Sequence, residues 1–192
     1  MTRLVLLGPP GAGKGTQASA LADRLGIPAI STGDIFRANV AGGTPLGLEA
    51  QAYMDRGDYV PDSVTNAMVR SRLAEPDAKA GFLLDGYPRT PDQVVELDTM
   101  LTEAGEAIDA VLEITAPTDE VVRRLLLRAA DQGRSDDTED VIRRRLEVFT
   151  EQTAPLAAAY RERGLLRQVD GIGTVPEVTA RLLAALDAAA DA

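Results

Sequence analysis

Two patterns of apolar and polar positions alternate along the chain. Short apolar runs bounded by Gly or Asp predict buried strands at residues 3–8, 81–86, 110–115 and 165–170. Helical periodicity predicts helices at residues 17–25, 62–73, 92–101, 119–129, 136–163 and 176–189. Strands that alternate with helices are typical of an α/β fold, with a central parallel sheet and helices on both faces.

Residues 31–60 interrupt this alternation. They contain helical segments and Gly/Pro breaks, but no run that resembles a core strand. We therefore predict a helical insert at the edge of the sheet.

The composition of the chain indicates its class, the ligands it can bind and its location in the cell. The chain has 192 residues, 45% hydrophobic and 26% charged, which is an ordinary balance for one globular domain. Its net charge of −10 disfavours a nucleic-acid or anionic-membrane surface, so a polyanionic ligand needs a local cluster of cations. Only four consecutive apolar residues occur near the start, too few for a signal peptide or membrane span, and we expect a cytoplasmic location.

The chain contains neither Cys nor His. Disulfides, thiolate or histidine metal sites, and Ser-His or Cys-His catalysis are therefore excluded. Phosphoryl transfer remains compatible, because it depends mostly on positioning and charge neutralisation.

Residues 8–16, GPPGAGKGT, directly follow the first predicted strand. Gly8, Gly13 and Lys14 satisfy G-x-x-x-x-G-K, a pattern whose backbone N–H groups, following helix and lysine hold phosphate oxygens. With 17 Gly and two Lys in the chain, chance gives about 0.015 such matches, which disfavours an ordinary Gly/Pro turn. Gly15 stands where the general pattern has Ser or Thr, so Thr16 is the candidate for a phosphate or magnesium contact.

Asp85 ends an apolar run in GFLLDGYPRT. In a parallel sheet this places its carboxylate at the edge where such folds bind ligands. Taken alone, an Asp-Gly turn explains it equally well. The neighbouring glycine-rich loop favours a magnesium role, directly or through water.

Five arginines lie between residues 128 and 146 of this acidic chain. Helical spacing predicts local ion pairs for several nearby arginines: Asp119–Arg123, Glu120–Arg124, Glu139–Arg143 and Asp140–Arg144. At the same spacing Arg128 has Arg124, and Arg145 has Val141. The pattern therefore predicts that Arg143 and Arg144 lie on a solvated face, and that Arg128, Arg134 and Arg145 face phosphate.

The directions in which Arg144 and Arg145 point from their helix support the same distinction between them. Ile142, Leu146 and Phe149 form the predicted buried stripe of their helix. At about 100° per residue, Arg144 points away from the stripe, whereas Arg145 lies about 70° from its centre.

Several motifs together resemble a known family: GPPGAGKGTQA, STGDIFR, FLLDGYPRTPDQ, GRSDDTEDVIRRRLEVF and TAPL, in order from Leu4 to about Asp170. They resemble the nucleoside monophosphate kinases, and most closely the adenylate kinases. The resemblance implies reversible, Mg²⁺-dependent transfer of the ATP γ-phosphate to AMP, giving two ADP. It also implies a core (1–30, 61–127 and 138–192), an AMP-binding insert (31–60) and a lid (128–137).

The lid is of the short form, since only AADQG separates Arg128 from Arg134. Without Cys or His it cannot be a zinc ribbon. We expect small-molecule nucleotides as partners, no zinc, no nucleic acid or membrane, and a monomer.

The resemblance also implies roles for individual residues. The ATP site would comprise Gly11, Ala12, Gly13, Lys14, Gly15 and Thr16 around the phosphates, Arg124 stacked on the base, Arg128, and the backbone of Gly173. The AMP site would comprise Thr32, Arg37, the backbone of Asp58, Tyr59 and Val60, then Gly86, Tyr87, Pro88, Arg89 and Gln93. Arg134 and Arg145 would clamp the phosphates. The catalytic set would be Lys14, Asp85, Arg89, Arg128, Arg134 and Arg145.

Two alternatives stay open. One is a UMP/CMP or GMP kinase on the same fold, although Thr32 and Gln93 favour an adenine because an amide can both donate to and accept from its edge. The other is a nucleotide-dependent switch. The chain has no Asn/Thr-Lys-x-Asp guanine motif, since its only lysines are Lys14 and Lys79.

Overall fold

The computed structural model describes residues 2–132 and 138–190. The strands are β1 (Thr2–Leu7), β2 (Ala29–Ser31), β3 (Gly81–Asp85), β4 (Ala110–Thr115) and β5 (Leu166–Asp170). The helices are α1 (Lys14–Leu25), α2 (Thr32–Ala41), α3 (Pro45–Met54), α4 (Asp62–Leu73), α5 (Pro91–Glu103), α6 (Thr118–Gln132), α7 (Glu139–Val148), α8 (Leu156–Glu162) and α9 (Val175–Ala190). A 3₁₀ turn, Pro76–Ala80, precedes β3, and a π-helical turn, Phe149–Thr153, follows α7.

The five strands form one sheet in the order β2-β3-β1-β4-β5, and every neighbouring pair is parallel. The C-terminal ends of the strands therefore lie along one edge. Asp85 is in register with Leu6 of β1 and with Ser31 of β2. This alignment brings the glycine-rich loop, the start of α2 and Asp85 to the same place.

Alternating side chains of the strands build a core on each face of the sheet. On one face Val5, Leu7 and Leu84 pack with residues of α4, α5 and α8. On the other face Leu4 and Leu6 pack with residues of α1 and α9. The predicted parallel sheet with helices on both faces is thus confirmed.

Two elements differ from the expectation. The strand β2 was not predicted, because three residues after Pro28 are too few for a periodic pattern. The long helix expected at 136–163 is interrupted, because Pro155 has no N–H to continue the helical ladder. The chain instead makes a π turn, in which the Ala154 N–H donates to the Phe149 carbonyl at 2.8 Å.

The helices α2 and α3 fold against each other within the region predicted as an insert. Phe36, Ala50 and Val60 form their small core. Ser31 caps α2 by accepting from the Asp34 N–H, and Thr44 caps α3 in the same way through the Gly47 N–H. Across residues 2–132 and 138–190, no helix is long and apolar enough to span a membrane.

Candidate active site

The glycine-rich loop joins β1 to α1 at the C-terminal edge of the sheet. Gly13 has φ of 95°, a left-handed conformation that favours glycine, and α1 begins at the next residue. The first N–H groups of a helix have no partner within it, so the start of α1 presents donors and the positive end of the helix dipole. This arrangement suits an anion such as phosphate.

Lys14 lies between this loop and a group of other charged side chains. Its Nζ donates to the carbonyls of Gly8 at 2.8 Å and Pro9 at 3.0 Å. Burial lowers the pKa of Lys14 from 10.5 to about 8; Asp85 opposes this shift, whereas Arg89, Arg145 and Arg128 add to it. Asp85 and the three arginines therefore lie close enough to Lys14 to act on its charge, and cations outnumber acids in this part of an acidic chain.

Asp85 lies at the end of β3 and is only 8% exposed. Its carboxylate makes no hydrogen bond or ion pair with the residues that the structure describes. A Cβ placed on Gly15 would lie 3.7 Å from Asp85 Oδ2, so the carboxylate faces the first turn of α1. Its oxygens can therefore accept from water or coordinate a cation.

A pocket of about 960 Å³, including its open mouth, extends from the glycine-rich loop to the α2–α3 region. It is lined by Lys14 and by most of the residues predicted for AMP: Thr32, Arg37, Asp58, Tyr59, Val60, Gly86, Pro88, Arg89, Gln93 and Arg145. The fold thus gathers residues that are more than a hundred positions apart in sequence.

Arg89 is held through both its backbone and its side chain. Its backbone N–H donates to Gln93 Oε1 at 2.7 Å, and its Nε donates to the Gly86 carbonyl at 2.7 Å. The Tyr59 ring lies under its guanidinium at 4.9 Å. Thr32 Oγ1 donates to the same Gly86 carbonyl at 2.9 Å, which ties α2 to this loop.

Gln93 is 2% exposed and has a defined amide orientation. Its Oε1 accepts from the Arg89 N–H, and its Nε2 donates to Asp62 Oδ1 at 2.7 Å. Because a carboxylate only accepts and an N–H only donates, the two ends of the amide are distinguished. These two bonds use one of the two N–H groups and one of the two lone pairs of the amide, and Gln93 lines the pocket.

Sequence reasoning missed several lining residues, among them Phe36, Met54, Thr65, Phe149 and Thr153. Phe36 lies one helical turn after Thr32, so the spacing within STGDIFR was an available signal. The sequence pattern predicts Phe149 in the buried stripe of its helix. Phe149 does follow Ile142 at helical spacing, but it is half-buried and lines the pocket.

Two predicted AMP-site residues direct their side chains elsewhere. Tyr87 is fully buried in the core, its hydroxyl donates to Asn66 Oδ1 at 2.8 Å, and burial raises its pKa. Asp58 is engaged with Arg144, which lowers the pKa of its carboxyl. Both side chains are therefore engaged within the protein, although Asp58 still lines the pocket.

Arg124 contacts two loops that are predicted to lie near the ATP base. Its Nε donates to Glu120 at 2.6 Å, and its terminal nitrogens donate to the carbonyls of Ala12 at 3.4 Å and Gly171 at 3.1 Å. The glycine-rich loop therefore lies beside the loop after β5 that carries Gly173.

Two of the predicted local ion pairs are confirmed and two are wrong. The pairs of Arg124 with Glu120 and of Arg143 with Glu139 form, at 2.6 and 2.7 Å. Arg123 pairs with Glu120 rather than Asp119.

Arg144 pairs with Asp58 at 2.8 Å rather than with Asp140. The reason is tertiary packing, because a Cβ placed on Gly57 would lie 2.9 Å from the Val141 carbonyl. The loop after α3 thus packs directly on α7, within reach of Arg144.

Two of the three arginines predicted to face phosphate lie among the described residues. Arg145 lines the pocket, and Arg128 is near enough to Lys14 to lower its pKa. Arg134 lies outside the described residues.

The family model and the relatives that match this chain all carry the same description. A family model described as "Adenylate kinase" matches residues 6–165. Curated relatives named "Adenylate kinase" include one from a Nocardioides species, 64% identical over 96% of this chain and 97% of the relative. Another from Renibacterium salmoninarum is 63% identical over 97% of each, and one from Thermobifida fusca is 61% identical over 96% and 97%.

Proposed function

Because this chain belongs to the adenylate kinase family, we propose that it catalyses reversible, Mg²⁺-dependent transfer of the ATP γ-phosphoryl group to AMP, giving two ADP. The observation that carries this proposal is the convergence of Lys14, Arg89, Arg145 and Arg128 where the glycine-rich loop meets the pocket. Such a cluster can stabilise both the phosphates of the ATP donor and the phosphate of the AMP acceptor.

On the donor side, the loop 11–16 and the start of α1 would hold the ATP phosphates. Lys14 would exchange its contacts with the Gly8 and Pro9 carbonyls for phosphate oxygens, whose charge favours the protonated amine. Arg124 would lie against the ATP base beside the Gly173 backbone, and Arg128 would contact the phosphates. Thr16, on the first turn of α1, is the candidate hydroxyl contact.

On the acceptor side, Arg37, Arg89 and Arg145 would bind the AMP phosphate. The base would enter the part of the pocket lined by Thr32, Phe36 and Gln93, with the backbone of residues 58–60 as a further wall. The remaining N–H and lone pair of Gln93 match the donor and acceptor on the edge of adenine.

Asp85 fits a Mg²⁺ ion that is held mainly by water and phosphate. Mg²⁺ prefers oxygen ligands and usually keeps several waters, with one or two carboxylates. Among the described residues no group of three or more His, Cys, Asp or Glu could form a protein-only cage. When bound, the ion would neutralise phosphate charge and orient the transferring group.

The chemistry then requires positioning more than proton transfer. The acceptor phosphate oxygen and the leaving β-phosphate must lie in line with the transferred group. Arg89, held on several sides, would fix the acceptor, while Lys14 and Arg145 would stabilise charge on the transferred group. Closure of the lid (128–137) would exclude water, which would otherwise accept the phosphoryl group.

We expect AMP to be strongly preferred over other acceptors. A coupled assay with Mg-ATP against AMP, CMP, UMP and GMP measures kcat/KM for each. The preference follows from the amide of Gln93, which Asp62 and Arg89 hold in one orientation. Phosphorylation of CMP or UMP as efficient as that of AMP would refute the adenine assignment.

The short lid is expected to work without zinc. Its closing contacts would be arginine–phosphate hydrogen bonds, which weaken as salt concentration rises. Activity should therefore survive exhaustive zinc chelation once Mg²⁺ is restored, and the KM for ATP should increase with salt. Loss of activity that only zinc restores would contradict this prediction.

The cellular setting of the reaction is also part of the proposal. We propose a monomer in the cytoplasm that acts on free nucleotides. The net charge of −10 supports nucleotides rather than nucleic acid as partners.

A further inference from the structure

The π-helical turn brings a buried hydroxyl to the back of the acceptor pocket. Thr153, the last residue of this turn and the first of the TAPL motif, is 5% exposed. Its Oγ1 lies 2.8 Å from the Arg89 carbonyl oxygen and 2.7 Å from the Tyr59 hydroxyl. Thr153 therefore joins three separate segments: the loop after α3, the loop after β3 and the π turn.

The direction of both hydrogen bonds follows from the chemistry of the groups. A carbonyl oxygen can only accept, so Thr153 must donate its single proton to Arg89. The Tyr59 hydroxyl must then donate to Thr153 Oγ1. The result is a directed chain from Tyr59 through Thr153 to the Arg89 backbone.

Tyr59 contacts Arg89 a second time. Its ring lies under the Arg89 guanidinium at 4.9 Å. The same tyrosine thus holds the guanidinium directly and the carbonyl through Thr153. A shift of the loop at residues 58–60 would loosen Arg89 at both ends.

We propose that Thr153 is a positioning residue for Arg89, and that together with Tyr59 it makes the placement of Arg89 depend on the position of the α2–α3 region. This inference rests on the proposed function, in which Arg89 binds the acceptor phosphate. In this role Thr153 need not bind substrate, although it lines the pocket. It acts by holding the backbone from which the Arg89 side chain extends.

The test compares Thr153→Val, which removes the hydroxyl at nearly constant shape, with Thr153→Ser, which retains it. Thr153→Val should lower kcat about 10-fold, since loss of the bond leaves the Arg89 carbonyl unsatisfied and frees its backbone. Thr153→Ser should restore kcat to within about twofold, since its hydroxyl can make the same bond. The KM for ATP should be unchanged, because the donor site is not involved.

Tyr59→Phe gives an independent measure, because it keeps the ring and removes only the hydroxyl. We expect about a threefold loss in kcat at unchanged melting temperature. The double variant Tyr59→Phe/Thr153→Val should be no slower than Thr153→Val alone, because both changes break one chain.

Thr150→Val is the matched control. Thr150 lies in the same π turn, is exposed, and donates to the Leu146 carbonyl at 2.9 Å, away from the pocket. Removing the Thr150 hydroxyl should leave kcat at the wild-type value. An equal loss in Thr150→Val and Thr153→Val would show that the turn matters only structurally and overturn the proposal.

Wild-type turnover of AMP is measured first. A wild-type protein that does not phosphorylate AMP refutes the proposed function itself. An active wild type with unchanged kcat in Thr153→Val refutes only the positioning role. If Thr153→Val does not fold, unchanged kcat in Tyr59→Phe has the same consequence.

Discussion

Replacing Arg145 with alanine should lower kcat by on the order of 10²–10³, the usual cost of removing one preorganised donor to a developing charge. Arg145 lines the pocket and is near enough to Lys14 to lower the pKa of that amine. In the proposed reaction it would lie beside the transferred phosphoryl group. Parallel measurements of kcat and melting temperature should show that the loss is mainly in turnover.

Arg144→Ala is the control for this prediction, because the two arginines are adjacent and chemically identical. Arg144 is exposed and pairs with Asp58, and such surface pairs contribute little to stability. We expect kcat within a few-fold of wild type and a small rise in the KM for AMP, since the pair links the loop after α3 to α7. Equal losses of turnover in the two variants would contradict an assigned phosphate role for Arg145.

The contrast between Arg144 and Arg145 also shows how far local sequence patterns reach. Helical geometry correctly placed Arg144 on an exposed face and Arg145 nearer the interior. It misassigned the partner of Arg144, because the competing carboxylate, Asp58, is 86 positions away in sequence. Helical spacing identifies only partners on the same helix. A partner that tertiary packing places nearby can replace them.

The same limit applies to the fold. The parallel sheet could be predicted because four of its strands are long enough to show an apolar run. The short strand β2 could not, because its pairing with β3 is set by the folded sheet. The π turn was missed since its signal, Pro155, indicates that a helix must break but not how the break is accommodated.

Within the candidate site, residues in recognisable motifs were predicted and the residues that support them were not. Gln93 could be named from its motif, but Asp62, which orients its amide, belongs to no pattern that indicates this role. Thr153 was within a noted motif without an assigned contact. Its partners, Tyr59 and Arg89, become apparent only when three loops are brought together.

The second large effect is expected at Asp85. Asp85→Asn keeps the shape of the side chain but removes its charge, so Mg²⁺-dependent turnover should fall on the order of 10²-fold. Because the Asp85 carboxylate also attracts Lys14, a melting curve of Asp85→Asn checks that the loss lies in turnover and not in folding. Metal-free ATP binding, measured by calorimetry, should be largely retained.

Asp170→Asn separates this role from that of a simple turn former. Asp170 also ends a strand at the same edge of the sheet, but its Oδ1 accepts from the Ile172 N–H at 3.0 Å, a bond that an asparagine oxygen can also accept. We therefore expect wild-type turnover in Asp170→Asn at every Mg²⁺ concentration. In Asp85→Asn the loss should persist across a Mg²⁺ titration or require much higher concentrations to overcome. A metal-binding carboxylate needs its charge, whereas a turn-forming acid needs only an oxygen that accepts a hydrogen bond. Unchanged turnover in both variants would therefore show that Asp85 is only a turn former.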